Sequence, residues 1–548
     1  MGFSLFLAAT KVKVVSYLLH TLEKNDVEVI FGNPGTTEIP LVRACEQHSK
    51  LRYVVALSEI AAVPMADGYA RATRKLGVVN LHVAPGLGNG MGALYTAGIA
   101  GTPLLVLVGG QDRRFLHTQP ILWGPLEQMA RSVCKDVFGL NTRYDAAANV
   151  RRALRCALTP PYAPVALICP PDLLEQEITE DPATVRPPAL SGLDTARIEE
   201  YAAFLSSAKK PAVIAAEDVH WSAAGAEKLE NLAEHLHASV YAAPYTGILP
   251  ISASSHWYAG YLPPSLKQIA ERLHDHDALL FLGGRGLRTT LYSEGSLPQR
   301  KAWIGTDVRV QTSDGEFELA SVADIAHALR AIDSLLRGKR TAAKVKPASA
   351  RPELALPAAK RGALHPTRAV AALLERFREA IWFDESGLST SDVRQWMRLA
   401  AGDYIINGSG GIGWGLPAAV GAALAKPERQ IVAAIGDGSA LYASEALWSA
   451  GHQGAKNILL VVFANRRYAT LNEAAGRLAG GALQSFTIEP PVLDFSGLAT
   501  LHGWRYWRAS SEDELNQVLT SRAEPWTNTL LELELDPALK PVTASRHF

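Results

Sequence analysis

The stretch I-V-A-A-I-G-D-G-S, from Ile431 to Ser439, decides how this chain is read. An apolar run too short for a helix and closed by glycine predicts a buried strand ending at Gly436-Asp437-Gly438. A helical stretch containing A-L-W-S-A follows it. Strand, glycine turn and helix make one unit of a parallel α/β domain, a fold that binds ligands at the carboxyl ends of its strands. The glycines let backbone approach a ligand closely, and Asp437 offers a hard oxygen donor. Alone, Asp437 could equally cap the following helix. A second strand, I-L-L-V-V-F-A (Ile458–Ala464), runs into Asn465. An Asp and an Asn from adjacent strand ends, with a loop carbonyl, are oxygen ligands suited to Mg²⁺ holding a diphosphate.

Just upstream, Gly408-Ser-Gly410-Gly411-Ile412-Gly413 fits G-x-G-x-x-G after a possible strand at Asp403–Asn407. It therefore has two readings: a dinucleotide fingerprint with Asp437 as its acid, or a glycine-rich bend on which an aromatic cofactor lies. Asn465 favours the second, because a nicotinamide site has no use for a second oxygen ligand there.

Outward from this segment, short apolar runs alternate with amphipathic stretches along all 548 residues. Val27–Gly32, Arg52–Leu57, Val78–Val83, Leu104–Gly109 and Val165–Cys169 read as strands in the first third. Pro211–Ala216, Ala278–Gly283 and Ala302–Gly305 do so in the middle. The fold class is thus α/β, with three parallel-sheet domains at 10–182, 192–336 and 363–541 and a basic, Ala- and Pro-rich linker at 337–362. The outer two domains share a faint echo. Ala66–Gly86 and Ala419–Gly438 each run from a small-residue helix through a basic turn into a buried strand ending at glycine.

Composition excludes whole classes of function. Lys+Arg and Asp+Glu both number 54, so the net charge is zero and no field favours nucleic acid or an anionic membrane. Apolar residues at 48% and charged residues at 20% are globular values. The four cysteines (Cys45, Cys134, Cys156 and Cys169) form no C-x-x-C pair, which argues against a zinc cluster or disulfide framework and for a reducing cytoplasm. Phe3–Ala9 lacks a basic flank and reads poorly as a signal peptide, and no apolar run is long enough to span a membrane.

In the first domain, F-G-N-P-G-T-T-E (Phe31–Glu38) makes a tight turn lined with small hydroxyl groups. Glu59 lies among apolar neighbours in Y-V-V-A-L-S-E-I-A-A-V. On the surface it would only cap a helix; buried, it could share a proton with a heterocyclic nitrogen. His82 ends the strand V-V-N-L-H before A-P-G-L-G-N-G, a position that fits a structural or a proton-transferring imidazole.

The tripartite layout, Gly436-Asp437-Gly438 with Asn465, and Phe31–Glu38 with Glu59 resemble the thiamine-diphosphate-dependent decarboxylase and acetolactate-synthase superfamily. G-N-P-G, A-D-G-Y-A-x-A, N-L-H, G-N-x-M-G-A and P-E-R-Q-I-V-A-A-I-G-D-G-S are most similar to benzoylformate decarboxylase and its relatives. The resemblance implies a pyrimidine-binding, a middle and a diphosphate-binding domain, with thiamine diphosphate and Mg²⁺ as cofactors. It implies Asp437, Asn465 and the carbonyl of Arg467 as metal ligands. Gly410, Gly436, Gly438, Ser439 and Tyr468 would lie against the cofactor, and Ile412 would be the aliphatic prop beneath it. Glu59 would reach from a partner subunit to the aminopyrimidine, which places the sites at the interface of a homodimer and suggests a homotetramer.

Thr36 stands where those relatives carry a substrate-contacting Ser, and His82 matches one active-site His. The second His is replaced by Thr290, and Leu471 joins the expected substrate pocket. A hydroxyl cannot replace imidazole in proton transfer near neutral pH. The reading that results is non-oxidative decarboxylation of a 2-oxoacid through a thiamine-bound carbanion. The alternatives are a carboligase or C–C lyase acting on a 2-oxoacid or aldehyde, and a non-catalytic paralogue. Arg285 and Arg288, in the loop before Thr290, read as ordinary surface residues or as contacts for an anionic group.

Overall fold

The computed structural model describes residues 11–47, 50–290, 293–298, 300–309, 317–337, 354–520, 528–536 and 538–543. The segment Phe3–Ala9 and residues 338–353 of the expected linker lie outside them. The chain divides into two compact units, Met1–Pro188 and Ala189–Phe548.

The first unit is built on one six-stranded sheet, all parallel. Its strands in chain order are Val29–Asn33, Arg52–Val55, Gly77–Leu81, Leu104–Gly109, Asp136–Gly139 and Pro164–Cys169. The central strands Gly77–Leu81 and Leu104–Gly109 are buried at every position, which is why they read as unbroken apolar runs. A two-stranded antiparallel ribbon, Val12–Lys13 with Glu177–Ile178, closes the unit and was not foreseen.

The second unit holds two more six-stranded parallel sheets. One contains Pro211–Ala215, Ser239–Ala242, Tyr258–Tyr261, Ala278–Leu282, Lys301–Gly305 and Leu319–Val322. The other contains Ile381–Glu385, Tyr404–Ile406, Ile431–Gly436, Ile458–Ala464, Arg505–Ala509 and Thr529–Glu534. A segment after the second strand of the former pairs with the edge of the latter: Ile248 bridges Ile405, Leu249 N donates to Tyr404 O at 2.9 Å, and Ile406 N donates to Gly247 O at 2.9 Å.

Numbering strands within each sheet, the first and last sheets share the spatial order 2-1-3-4-6-5. The echo in sequence falls on the same place in both, the helix leading into the third strand. The middle sheet runs 3-2-1-4-5-6, the order of doubly wound nucleotide-binding folds. The helix Gly415–Ala425 (G-L-P-A-A-V-G-A-A-L-A) is buried almost all round, and its small side chains let it lie close on the sheet. Among the described residues no helix is long and apolar enough to cross a membrane.

Candidate active site

Strand register brings Asp437 and Asn465 together. Ile431–Gly436 and Ile458–Ala464 are neighbours, with Gly436 opposite Phe463, so the residue after each strand stands at the same sheet edge. Asp437 is buried, and its carboxylate ties the two loops. Oδ1 accepts from Gly438 N at 2.8 Å, while Oδ2 accepts from Asn465 N at 2.9 Å and Arg466 N at 2.6 Å. Arg466 takes a left-handed conformation, φ 63°, to turn the chain between the two candidate ligands. Asn465 Oδ1 in turn accepts from Arg467 N at 3.2 Å. Burial pushes the Asp437 carboxyl above its ordinary range although three N–H bonds oppose the shift, a balance that a bound cation would tip towards the charged form.

These groups open into a cavity of about 1390 Å³. It gathers Gly410 and Ile412 on one wall, with Gly436, Asp437, Gly438 and Ser439 beside them. Asn465, Arg467, Tyr468 and Leu471 complete the floor, and Thr290 enters from the loop of the middle sheet. A Cβ on Gly438 would lie 2.8 Å from the Tyr468 ring, so only glycine fits there. Ile412 is 40% exposed, an aliphatic side chain held into the cavity.

Two residues unforeseen from sequence shape this site. Tyr245 lines the cavity and its phenol hydrogen-bonds the Thr290 hydroxyl. Glu385, at the end of Ile381–Glu385, accepts from Gly413 N at 2.5 Å, Trp414 N at 3.0 Å and Gly415 N at 2.7 Å. Burial pushes its carboxyl up to about 7 despite those bonds and one from Ser439. This bonding also decides between the two readings of the Gly408–Gly413 motif. A dinucleotide fold offers the amides at the helix start to a pyrophosphate; here they are occupied by the protein's own carboxylate.

The donors fit a divalent cation and a diphosphate. A carboxylate, an amide oxygen and a loop carbonyl are hard oxygen ligands, and Mg²⁺ commonly takes one or two protein carboxylates together with phosphate oxygens. Among the described residues no cluster of three His, Cys, Asp or Glu side chains forms a separate metal site.

Arg288 is half-buried and engaged within the protein: it donates to Glu217 at 2.7 Å and to the Gly408 carbonyl at 3.3 Å. Arg285 pairs with Asp307 at 3.1 Å. Residues 291 and 292 of the same loop lie outside the described set.

In the first unit, Thr36, Glu59 and His82 all follow carboxyl ends of parallel strands. Glu59 is 5% exposed, starts the helix Glu59–Thr73 and accepts from Asn89 Nδ2 at 3.2 Å. A Cβ on Gly86 would lie 2.6 Å from Glu59 Oε1 and 3.3 Å from His82 Cβ, so this glycine lets both side chains approach. Thr36 is exposed on the turn, whereas the Thr37 hydroxyl donates to Glu38 Oε1 at 2.6 Å. Glu38, 2% exposed, faces the imidazole of His82. Sequence reading passed over Glu38 because its partner lies 44 residues away.

Three domain models match the chain: the thiamine pyrophosphate enzyme N-terminal TPP binding domain at 12–131, the central domain at 198–332 and the C-terminal TPP binding domain at 385–526. Benzoylformate decarboxylase of Pseudomonas aeruginosa is 31% identical over 510 residues, covering 91% of this chain and 94% of that protein. The acetolactate synthase large subunit of Haemophilus influenzae is 24% identical, covering 93% and 92%. The structure of the thiamine diphosphate-dependent 4-hydroxybenzoylformate decarboxylase of Rhodococcus jostii RHA1 superposes with a TM-score of 0.88 at 27% identity, over 96% of this chain and all of that one.

Proposed function

The chain belongs to the thiamine pyrophosphate enzyme family, and from that membership we propose that it is a Mg²⁺-dependent decarboxylase of a 2-oxoacid, similar in chemistry to benzoylformate decarboxylase. The observation that carries the reading is Asp437, buried at a strand end, bonded to the backbone of the Asn465 loop and sharing a cavity with Ile412. When bound, thiamine diphosphate supplies a nucleophilic carbon and an electron sink for cleavage next to a carbonyl.

The chain's own residues do the rest. Asp437, Asn465 and the Arg467 carbonyl hold Mg²⁺, and Ser439, Gly436 and Gly438 leave room for the diphosphate. Ile412, Gly410 and Tyr468, which line the cavity, would bound the cofactor. Glu59 of a second copy of the chain holds a proton at the pyrimidine ring nitrogen, which makes a homodimer the smallest working unit and a homotetramer the assembly expected. In that same copy, where Gly86 lets Glu59 and His82 lie side by side, Glu38 binds His82 at Nδ1 and so leaves Nε2 as the atom that moves a proton to or from the substrate. The hydroxyl of Thr36 of that copy binds the substrate.

A second reading, carboligation, is favoured by one observation. Thr290 bonds Tyr245, so a pair of hydroxyl groups occupies the place of a second imidazole. Fewer proton donors near neutral pH leave more time for a second carbonyl compound to react. Aromatic and aliphatic 2-oxoacids, supplied with Mg²⁺ and thiamine diphosphate, test both: CO₂ with equimolar aldehyde supports decarboxylation, and acyloin in excess of aldehyde supports ligation.

A further inference from the structure

One carboxylate touches both walls of the cavity. Glu385 takes the N–H groups of Gly413, Trp414 and Gly415, the start of the helix that follows the Ile412 turn. Its strand also pairs with Ile431–Gly436, the strand that leads into Asp437, with Glu385 opposite Ile435. The Ser439 hydroxyl, two residues beyond Asp437, favours the charged form of Glu385. The turn itself is left-handed at Gly410, φ 82°, and at Gly413, φ 88°, so nothing regular fixes its path. It is anchored where it enters the helix. There Gly415 has no space for a side chain, because a Cβ would lie 2.6 Å from Ile435 and 3.1 Å from the Cβ of Glu385.

We propose that Glu385 is a positioning residue that fixes the turn carrying Ile412 against the Gly436–Ser439 loop, so that both walls close on the cofactor as one unit. The inference rests on the reading of this cavity as the thiamine diphosphate site. Glu385 acts through Ile412 and Ser439 rather than on the reacting atoms. Both carboxylate oxygens are used as acceptors, so an amide in their place turns an NH₂ towards at least one N–H, and alanine leaves all three N–H groups without this partner.

The test is thiamine diphosphate binding to the full-length protein with Mg²⁺, followed by tryptophan fluorescence, for Glu385→Gln, Ser439→Ala and the double variant. Circular dichroism and the melting temperature of each cofactor-free protein report folding separately. Glu385→Gln is expected to weaken binding tenfold or more, and Ser439→Ala to cost several-fold in the wild-type background but less than twofold beside Glu385→Gln. A residue that only supports the fold would lower the melting temperature and leave the Ser439→Ala penalty equal in both backgrounds. That result, or an affinity of Glu385→Gln within twofold of wild type, overturns the inference alone. Wild-type protein that takes up no thiamine diphosphate overturns the cofactor reading and the inference with it. If Glu385→Gln does not fold, Glu385→Asp, which keeps the charge but shortens the reach, is held to the same criteria.

Discussion

Oε2 of Glu38 lies 2.6 Å from Nδ1 of His82, and the Thr37 hydroxyl lies 3.2 Å from the same nitrogen. The imidazole is fixed from the other side by Gly35, where a Cβ would sit 2.2 Å from the ring, and the next residue, Val83, is held at φ 42°. A β-branched residue at positive φ is strained and persists only where its surroundings over-determine it. The ring is therefore held in one orientation, with one nitrogen committed to Glu38.

Glu38→Gln should disturb that arrangement without removing the ring. The amide can present a donor to Nδ1, favouring the wrong tautomer, so kcat should fall about 10²-fold, the low end of what a placed proton-transfer group contributes. KM should change little. Steady-state kinetics on the preferred 2-oxoacid, with the pH profile recorded alongside, check this.

Asp437→Ala removes the charged oxygen and also the acceptor for two N–H groups of the Asn465 loop. Retention of thiamine diphosphate should then no longer depend on Mg²⁺. Gel filtration of loaded protein with and without chelator measures it; an unchanged Mg²⁺ dependence would remove Asp437 from the metal.

How much of this was legible in the sequence depended on burial and on distance along the chain. Ile431–Gly436 and Ile458–Ala464 are buried on both faces and betray themselves as apolar runs. Ile381–Glu385 (I-W-F-D-E) is buried over its first four residues but ends in two acids, so it reads as the start of a loop. Tyr258–Tyr261 and Arg505–Ala509 are edge strands: the first is short and interrupted by Gly260, the second is mostly exposed, and neither shows a continuous apolar run. Metal-site candidates were visible because the residues directly follow strands. Glu38 and Glu385 were not, since their partners lie 44 and 28 to 30 residues away and only the folded sheet brings them together.

The pH dependence of stability follows from Glu385, whose carboxyl is raised from 4.5 to about 7 by burial. A raised acid contributes stability that is full below its unfolded value and lost as pH rises through the folded one. Between pH 5 and pH 8 the melting temperature of cofactor-free wild type should therefore fall relative to Glu385→Gln, which does not titrate. Parallel curves would show that Glu385 is not raised.

The motif A-D-G-Y-A-R hides a fully buried ion pair, with Arg71 bonded to Asp67 at 2.6 and 2.8 Å and to Thr102 at 3.1 Å. Arg71→Met strands a buried carboxylate and should cost about 3–5 kcal/mol. Urea unfolding followed by far-ultraviolet circular dichroism reads it, and a loss below about 1 kcal/mol would mean that water replaces the guanidinium.

Thr290→His should place an imidazole in the cavity. Losing a general acid costs about 10²–10⁴-fold in its step, so returning one should speed protonation relative to ligation. With a 2-oxoacid that the enzyme accepts and added aldehyde, the parent should give the higher acyloin-to-aldehyde ratio. An equal or larger ligation share in Thr290→His, with the ring facing the cavity, contradicts it.

The central claim is that the Asp437 cavity uses thiamine diphosphate and Mg²⁺ to cleave a 2-oxoacid. The most direct measurement is CO₂ release across a panel of 2-oxoacids by protein stripped of cofactor and then resupplied with each component alone or both together. The account predicts turnover only with both present, with aldehyde or acyloin accounting for the CO₂. Uptake of both cofactors without CO₂ from any 2-oxoacid, or turnover that persists without them, would contradict it.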